Sequence, residues 1–340
     1  MKPIFSVIVP TFNRVGLLEQ IIASLASQSD EFRDDLELLI CDSGSTDGTA
    51  EMVARWIDNY PDSIRHINTS NNVSRKRNEG LKCSRGDYVI FLDDDCVPLP
   101  DFIETHRFRS TESANADGKT VFCGETRFPA DWVRRSNYYR FRDSRHFDRV
   151  AAAAGAPLNF KTIVTMNMCV QKAAFAAGVG GFDETFIGYG AEDQELGWRL
   201  QQAGFSIRAC PAGVTHQEVS RDIRAFGDKI RRTGRDGTAQ LLKVAPEAAK
   251  SIRLAKMLDA DYPDRTFTDR LVLSAFRTVL AFRLHNLLGW LLIKTDRIRP
   301  LYCPPAYRAY MACCFALGAT QRDHRLSAAE AAAGWVGKSH

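Results

Sequence analysis

Phe5-Ser6-Val7-Ile8-Val9, closed by Pro10-Thr11-Phe12-Asn13, opens the alternation that decides the fold. This short, continuous, β-rich run ends on turn-forming residues, which is how a strand buried on both faces reads. Leu17 to Leu25 then has helical periodicity, and Leu36 to Cys41 is a second buried strand. Thr49 to Asn59 reads as a helix, Ile64 to Asn68 as a short strand, Arg75 to Lys82 as a helix and Tyr88 to Leu92 as another apolar strand. Strands separated by helices predict an α/β chain, a mainly parallel sheet with helices on both faces. Ligands of such sheets gather beyond the carboxyl ends of the strands. Three polar clusters fall there: Pro10 to Asn13, Asp42-Ser43-Gly44-Ser45 and Asp93-Asp94-Asp95.

Further along, the pattern from Phe102 to Lys161 is weaker. Its aromatic and Arg-rich run Ser136 to Arg142 reads either as the lining of a groove or as packing and surface. Thr165 to Gln171 predicts a strand, Gly178 to Gly181 a turn, Glu192 to Ala203 a helix with Leu196 and Leu200 at i, i+4, and Ile207 to Cys210 a last short strand. After His216 the chain turns helical and basic, which places a domain boundary near residue 220, a basic amphipathic helical region over 221–325 and a flexible Ala-rich tail over 326–340.

The 340 residues leave room for about two domains. With 45% hydrophobic and 25% charged residues, the composition excludes disordered, collagen-like and disulfide-scaffold chains. The net charge of +4 conceals an asymmetry: through Ser220 there are 24 lysines and arginines against 30 acids, whereas Arg221 to Tyr310 has 18 against 9. A basic C-terminal third suits an acidic partner, phosphate or an anionic membrane surface, or is simply a solvated face. Nine cysteines, an odd number without a CxxC pair, read as reduced structural thiols. No secretory signal precedes the first strand, so a cytoplasmic protein is expected. Leu271 to Ile293 is apolar enough to raise a membrane question, but Arg277, Arg283 and His285 argue against a span. Val272, Phe276, Val279, Leu287 and Trp290 recur at helical spacing, as in an interfacial helix or one packed on the neighbouring domain, and peripheral membrane contact through 268–310 is one expectation.

Asp93, Asp94 and Asp95 leave an apolar strand together with no neutralising Lys beside them, a crowding that a cation would relieve. In an extended segment Asp93 and Asp95 would share one side and Asp94 the other. Carboxylates of this kind bind Mg2+ or Mn2+ alongside substrate phosphates, the plainer reading being an acidic loop or helix cap. His216, after the last strand, is a structural histidine on its own but a plausible nitrogen ligand when paired with the aspartates, and mixed ligation favours Mn2+. Glu192 and Asp193 open a helix after Gly188-Tyr189-Gly190-Ala191. Such acids either stabilise the helix dipole or, facing a cleft, serve as general base. No P-loop, GxGxxG or HExxH is present, and no nucleic-acid module accompanies the aromatics and arginines of 132–149, so no nucleic-acid partner is expected.

FSVIVPTFNR (5–14), LLICDSGSTDGT (38–49), RNEGLKCSRGDYVIFLDDDC (77–96) and GGFDETFIGYGAEDQELGWRL (180–200) together resemble the family 2 inverting glycosyltransferases of GT-A fold. The resemblance spans about residues 4–218, and its later part is similar to the galactosyltransferase and chondroitin-polymerase branch. It implies a catalytic domain over 1–220, with a nucleotide-sugar half to about 100 and an acceptor half beyond it. Pro10 and Thr11 would line the nucleotide pocket, Asp42 would bond the base, normally uracil, and Arg77 would help hold the donor near Asn78. Asp93, Asp94 and Asp95 match the DxD segment, Asp95 as direct metal ligand and Asp93 nearer the ribose or donor sugar. His216 matches the metal-binding histidine and Asp193 the catalytic base, with Glu192, Gly190 and Tyr189 on the acceptor side. Two departures stand out: Ala191 for a frequent Gly, and Cys96 for a common acid. The implied reaction moves a sugar from a UDP-sugar, with Mn2+ or Mg2+, to a saccharide or lipid-linked acceptor in cell-surface glycan assembly, at the inner face of the cell membrane if the acceptor is lipid-linked. A soluble peptide or natural-product acceptor is one alternative and a non-catalytic sugar-nucleotide-binding relative another. Nucleotidyl transfer to a sugar phosphate is disfavoured by Pro10 to Arg14, where a Gly-rich basic loop would stand.

Overall fold

A computed structural model describes residues 4–28, 35–111, 118–218, 222–252 and 266–320. The predicted alternation is present: β1 (Phe5–Thr11), α1 (Val15–Ala26), β2 (Leu36–Asp42), α2 (Thr49–Asn59), β3 (Ile64–Asn68), α3 (Val73–Cys83) and β4 (Tyr88–Leu92). There follow β5 (Cys96–Pro98), α4 (Phe102–Thr111), β6 (Thr120–Arg127), the short helices α5 (Ala130–Arg135), α6 (Asn137–Asp143) and α7 (Arg149–Ala153), β7 (Pro157–Leu158) and β8 (Asn167–Gln171). The chain then forms α8 (Glu192–Gln202), β9 (Ser206–His216), α9 (Ile223–Arg232), α10 (Thr238–Val244), α11 (Pro246–Ser251), α12 (Phe267–Ala281), α13 (Leu284–Lys294) and α14 (Pro304–Thr320).

One sheet runs in the order β3-β2-β1-β4-β8-β6-β9-β5, with β7 also on β9. The first four strands are parallel, as are β6 and β9, while β8 is antiparallel to both β4 and β6. Every residue of β1 and β2 is buried, which is why both read as unbroken apolar runs. Ile8, Leu39, Val89 and Phe91 face one core, with Leu196 and Leu200 of α8. Val7, Val9, Leu38 and Ile90 face the other, against Leu18, Ile21 and Leu25 of α1. The strand period of two thus divides each strand between two layers of helix. A third core joins Tyr138 and Phe141 of α6 to Ile223, Phe226, Leu292, Tyr307 and Tyr310 of the C-terminal helices.

Three expectations need correction. The predicted last short strand, Ile207 to Cys210, is the middle of the eleven-residue β9, which reaches His216. Pro211 looks like a terminator because it lacks an N–H. The strand absorbs it in an irregularity, where Gly124 pairs Cys210 but Glu125 pairs Gly213, and then resumes. The strand expected from Thr165 begins at Asn167. The segment Leu271 to Ile293 is two helices, divided at Arg283, whose φ of +52° breaks the helical path. Of its proposed stripe, the side chain of Val272 lies outside the described residues, as does the tail from 321 on. No helix among the described residues is long and apolar enough to cross a membrane.

Candidate active site

The chain turns immediately after β4, and the Cys96 amide donates to the Asp93 carbonyl at 3.1 Å. The expected extended segment is therefore a turn, and its three carboxylates take three separate partners. Asp93 Oδ1 accepts from Arg77 Nη2 at 3.0 Å, Asp94 Oδ2 accepts from Thr11 Oγ1 at 2.9 Å, and Asp95 Oδ1 lies 3.4 Å from His216 Nε2. The neutralising cation missing from the local sequence is Arg77, brought from α3. Burial raises the Asp93 carboxyl, and burial together with Asp95 lifts Asp94 to about 7. Burial acts the same way on Asp95 but is overcome by His216, which holds this carboxyl well below the ordinary range.

His216 reaches Asp95 because β9 runs antiparallel to β5, pairing His216 with Cys96, while Gln217 N donates to Asp95 O at 2.7 Å. Phe128 packs on the imidazole with ring centroids 4.9 Å apart, and Nδ1 is buried without a hydrogen-bond partner among the described residues. A carboxylate and an imidazole nitrogen side by side on a cleft wall suit a divalent cation that completes its shell with substrate oxygens and water. Cys96 is the third potential donor in this group. Burial pushes its thiol well up, and Sγ lies 3.7 Å from Asp95 Oδ1, to which it donates.

Across the cleft, Asp193 stands at the start of α8. Its Oδ1 accepts from Thr165 Oγ1 at 2.6 Å and its Oδ2 from the Thr165 amide at 3.1 Å. Arg77 Nη1 lies 3.4 Å from both Asp193 Oδ1 and Glu192 Oε1. The buried guanidinium, 5.1 Å from the Phe182 ring centroid, therefore links the aspartate turn to the two helix acids. Burial and the neighbouring Asp193 raise Glu192 to about 7. Gly190 and Ala191 have φ of +85° and +75°. A left-handed Ala at this position explains physically why Gly is frequent there.

Pro10, Arg77, Asp93, Asp94, Asp95, Tyr189, Gly190, Glu192, Asp193 and His216 all line one cleft of about 650 Å3. Thr11 and Asp42 sit behind its wall. Lys76 Nζ donates to the Thr11 carbonyl at 2.7 Å, and Asp42 accepts from Ser45 Oγ at 2.6 Å. Burial would raise Asp42, but the His66 imidazole 3.4 Å away and the hydrogen bonds from Ser45 bring it below its ordinary value. The sequence reading missed a cationic wall. Arg142 Nη2 donates to Glu218 Oε2 at 2.9 Å, Lys229 pairs with the other Glu218 oxygen, and Arg14 and Arg232 line the same space. Arg142 belongs to the run Ser136 to Arg142, which is groove and packing at once: Arg142 lines the cleft while Phe141 is core. Lys229 and Arg232 carried no signal beyond the basic character of their helix.

Residues 6–158 match the family described as Glycosyl transferase family 2, and residues 145–221 match the N-terminal domain of galactosyltransferase. The chain is 28% identical over 229 residues to validoxylamine A glucosyltransferase of Streptomyces hygroscopicus subsp. jinggangensis (strain 5008), covering 60% of this chain and 53% of that protein. It therefore spans about half the length of this curated relative. Chondroitin synthase of Escherichia coli is 23% identical, over 70% of this chain and 38% of its own. Among solved structures, the mannosyltransferase PcManGT from Pyrobaculum calidifontis in complex with GDP-Man and Mn2+ superposes with a TM-score of 0.60 at 20% identity, covering 96% of this chain and 89% of that one.

Proposed function

We propose that this chain, which has a GT-A fold and matches Glycosyl transferase family 2 over residues 6–158, transfers a sugar from a UDP-sugar to an acceptor hydroxyl in one inverting displacement. The observation that carries this reading is that the Asp95–His216 pair and Asp193, from distant parts of the chain, open into one cleft.

Pro10 lines the donor end, and Thr11 and Asp42 support the nucleotide pocket from behind its wall. Asp95 and His216 would hold Mn2+ or Mg2+, which when bound would supply Lewis-acid stabilisation of the charge on the departing diphosphate. Arg142 and Lys229 lie along the same wall and add positive charge towards that leaving group. Arg77 fixes Asp93 towards the ribose or donor sugar and at the same time braces Glu192 and Asp193. Thr165 occupies both Asp193 oxygens and so fixes the carboxylate plane. From that position Asp193 takes the proton of the acceptor hydroxyl as it attacks the anomeric carbon from the face opposite the leaving group. Tyr189, Gly190 and Glu192 form the acceptor side, and an α-linked donor gives a β-linked product. We assign residues 1–220, with α9 completing the cleft, to the catalytic domain and take the acceptor to be a saccharide or a lipid-linked saccharide.

Asp193→Asn tests the assignment. Calorimetry with UDP and Mn2+ should give affinity within about twofold of wild type, while acceptor-dependent UDP release falls by roughly 10²–10⁴. Full transfer by this variant would remove Asp193 from the mechanism.

A further inference from the structure

We infer that the outer face of α13 docks this protein on an anionic lipid surface, the helix lying in the interface. The inner face of α13 packs Leu292 into the core shared with Tyr307 and Tyr310, and Gly289 sits against the Tyr310 ring. The outer face carries Leu284, Leu287, Trp290 and Leu291, at i, i+3, i+6 and i+7, each between 43% and 55% exposed. A helix packed on one side of a globular protein normally turns polar residues outward. This one is apolar on both faces, and Phe282 (73% exposed) and Leu301 (52%) extend the patch at either end.

Charge selects the occupant. From Arg283 to Arg308 the sequence holds a single acid, Asp296, and it is turned inward to accept from Ser136 Oγ at 3.0 Å and the Tyr138 amide at 2.7 Å. Arg283, Lys294 and Arg297 are exposed around the patch. A second copy of the chain related by a two-fold axis would set cation against cation. An anionic bilayer satisfies both the apolar face and its basic rim. Lys294 Nζ lies 5.9 Å from the Trp290 ring centroid, placing an ammonium beside an indole as headgroup-level anchoring requires. Through α14 and α9 the helix that carries the patch is packed to elements that line the cleft. A lipid-linked acceptor rests on the function proposed above; the docking itself does not.

The test uses the full chain and sucrose-loaded vesicles of phosphatidylcholine, with or without one quarter phosphatidylglycerol. The protein should sediment with the anionic vesicles, weakly with the neutral ones, and less as salt rises. L287Q/W290Q should lower the partition coefficient about tenfold or more, and K294A/R297A about fivefold per charge at low salt. Both variants should keep UDP release from a soluble donor, showing that they are folded. Wild type left in the supernatant, or L287Q/W290Q binding undiminished, overturns the inference. So does a concentration-dependent dimer in sedimentation equilibrium that W290Q abolishes, since the face is then a self-interface. Loss of UDP release in wild type that still sediments with anionic vesicles would sink the transfer reading alone.

Discussion

Glu192 and Asp193 are neighbours in sequence and share Arg77, yet only Asp193 is held on both oxygens by Thr165. Glu192 accepts one long bond in a buried place, and burial with Asp193 lifts it from 4.5 to about 7. The folded chain therefore binds more protons than the unfolded one between these values, so this group's contribution to stability falls as pH rises through that window. Glu192→Gln should accordingly gain stability over wild type between about pH 4.5 and 7, by of order 1 kcal/mol per pH unit crossed, read from urea midpoints. A stability difference that does not change with pH would show that Glu192 ionises freely. The residue types of the site were legible in the sequence because carboxylates after a buried strand have few other purposes. The sequence also sets His216 with the aspartates, but not the links from Arg77 and Thr165, which meet the acids only in space.

At the scale of elements, β9 and α9 decide how the site is assembled. Had β9 stopped at Pro211, as its sequence suggests, His216 would not have been paired beside Cys96 and brought to Asp95. α9 is held by a close crossing with α14: a Cβ on Gly318 would meet the Arg231 carbonyl, and one on Gly234 the Phe315 carbonyl. Neither backbone oxygen can move without separating the helices. Gly318→Ala should therefore destabilise by about 1–3 kcal/mol despite a helix-propensity gain of about 1 kcal/mol. Because α9 also carries cleft residues, donor KM should rise more than kcat falls. Urea titration and initial-rate kinetics check both, and an unchanged midpoint would mean that the crossing relaxes at no cost.

On the scale of the whole molecule, the basic C-terminal region divides its charge between two tasks. Lys229 and Arg232 of α9 turn into the cleft, while Arg283, Lys294 and Arg297 face outward. The cleft is thus completed by residues beyond the span that resembles the family. Burial pulls the Lys229 ammonium down to about 8, yet it remains largely charged at neutral pH and pairs with Glu218. Lys229→Met should weaken UDP binding about tenfold and leave uridine binding unchanged, as calorimetry on the two ligands would show. Equal loss for both would place Lys229 outside the diphosphate end.

The sequence by itself determined the parallel half of the sheet, the positions of its ligand-bearing strand ends and the acids that carry the chemistry, because buried strands and helices impose short-range periodicities on a chain. Tertiary structure alone decided that Arg77 links Asp93 to Glu192 and Asp193, that Thr165 holds Asp193, and that α9 closes the cleft. Those outcomes depend on strand register and helix crossing, which bring together groups from 16 to 116 residues apart and leave no local pattern behind.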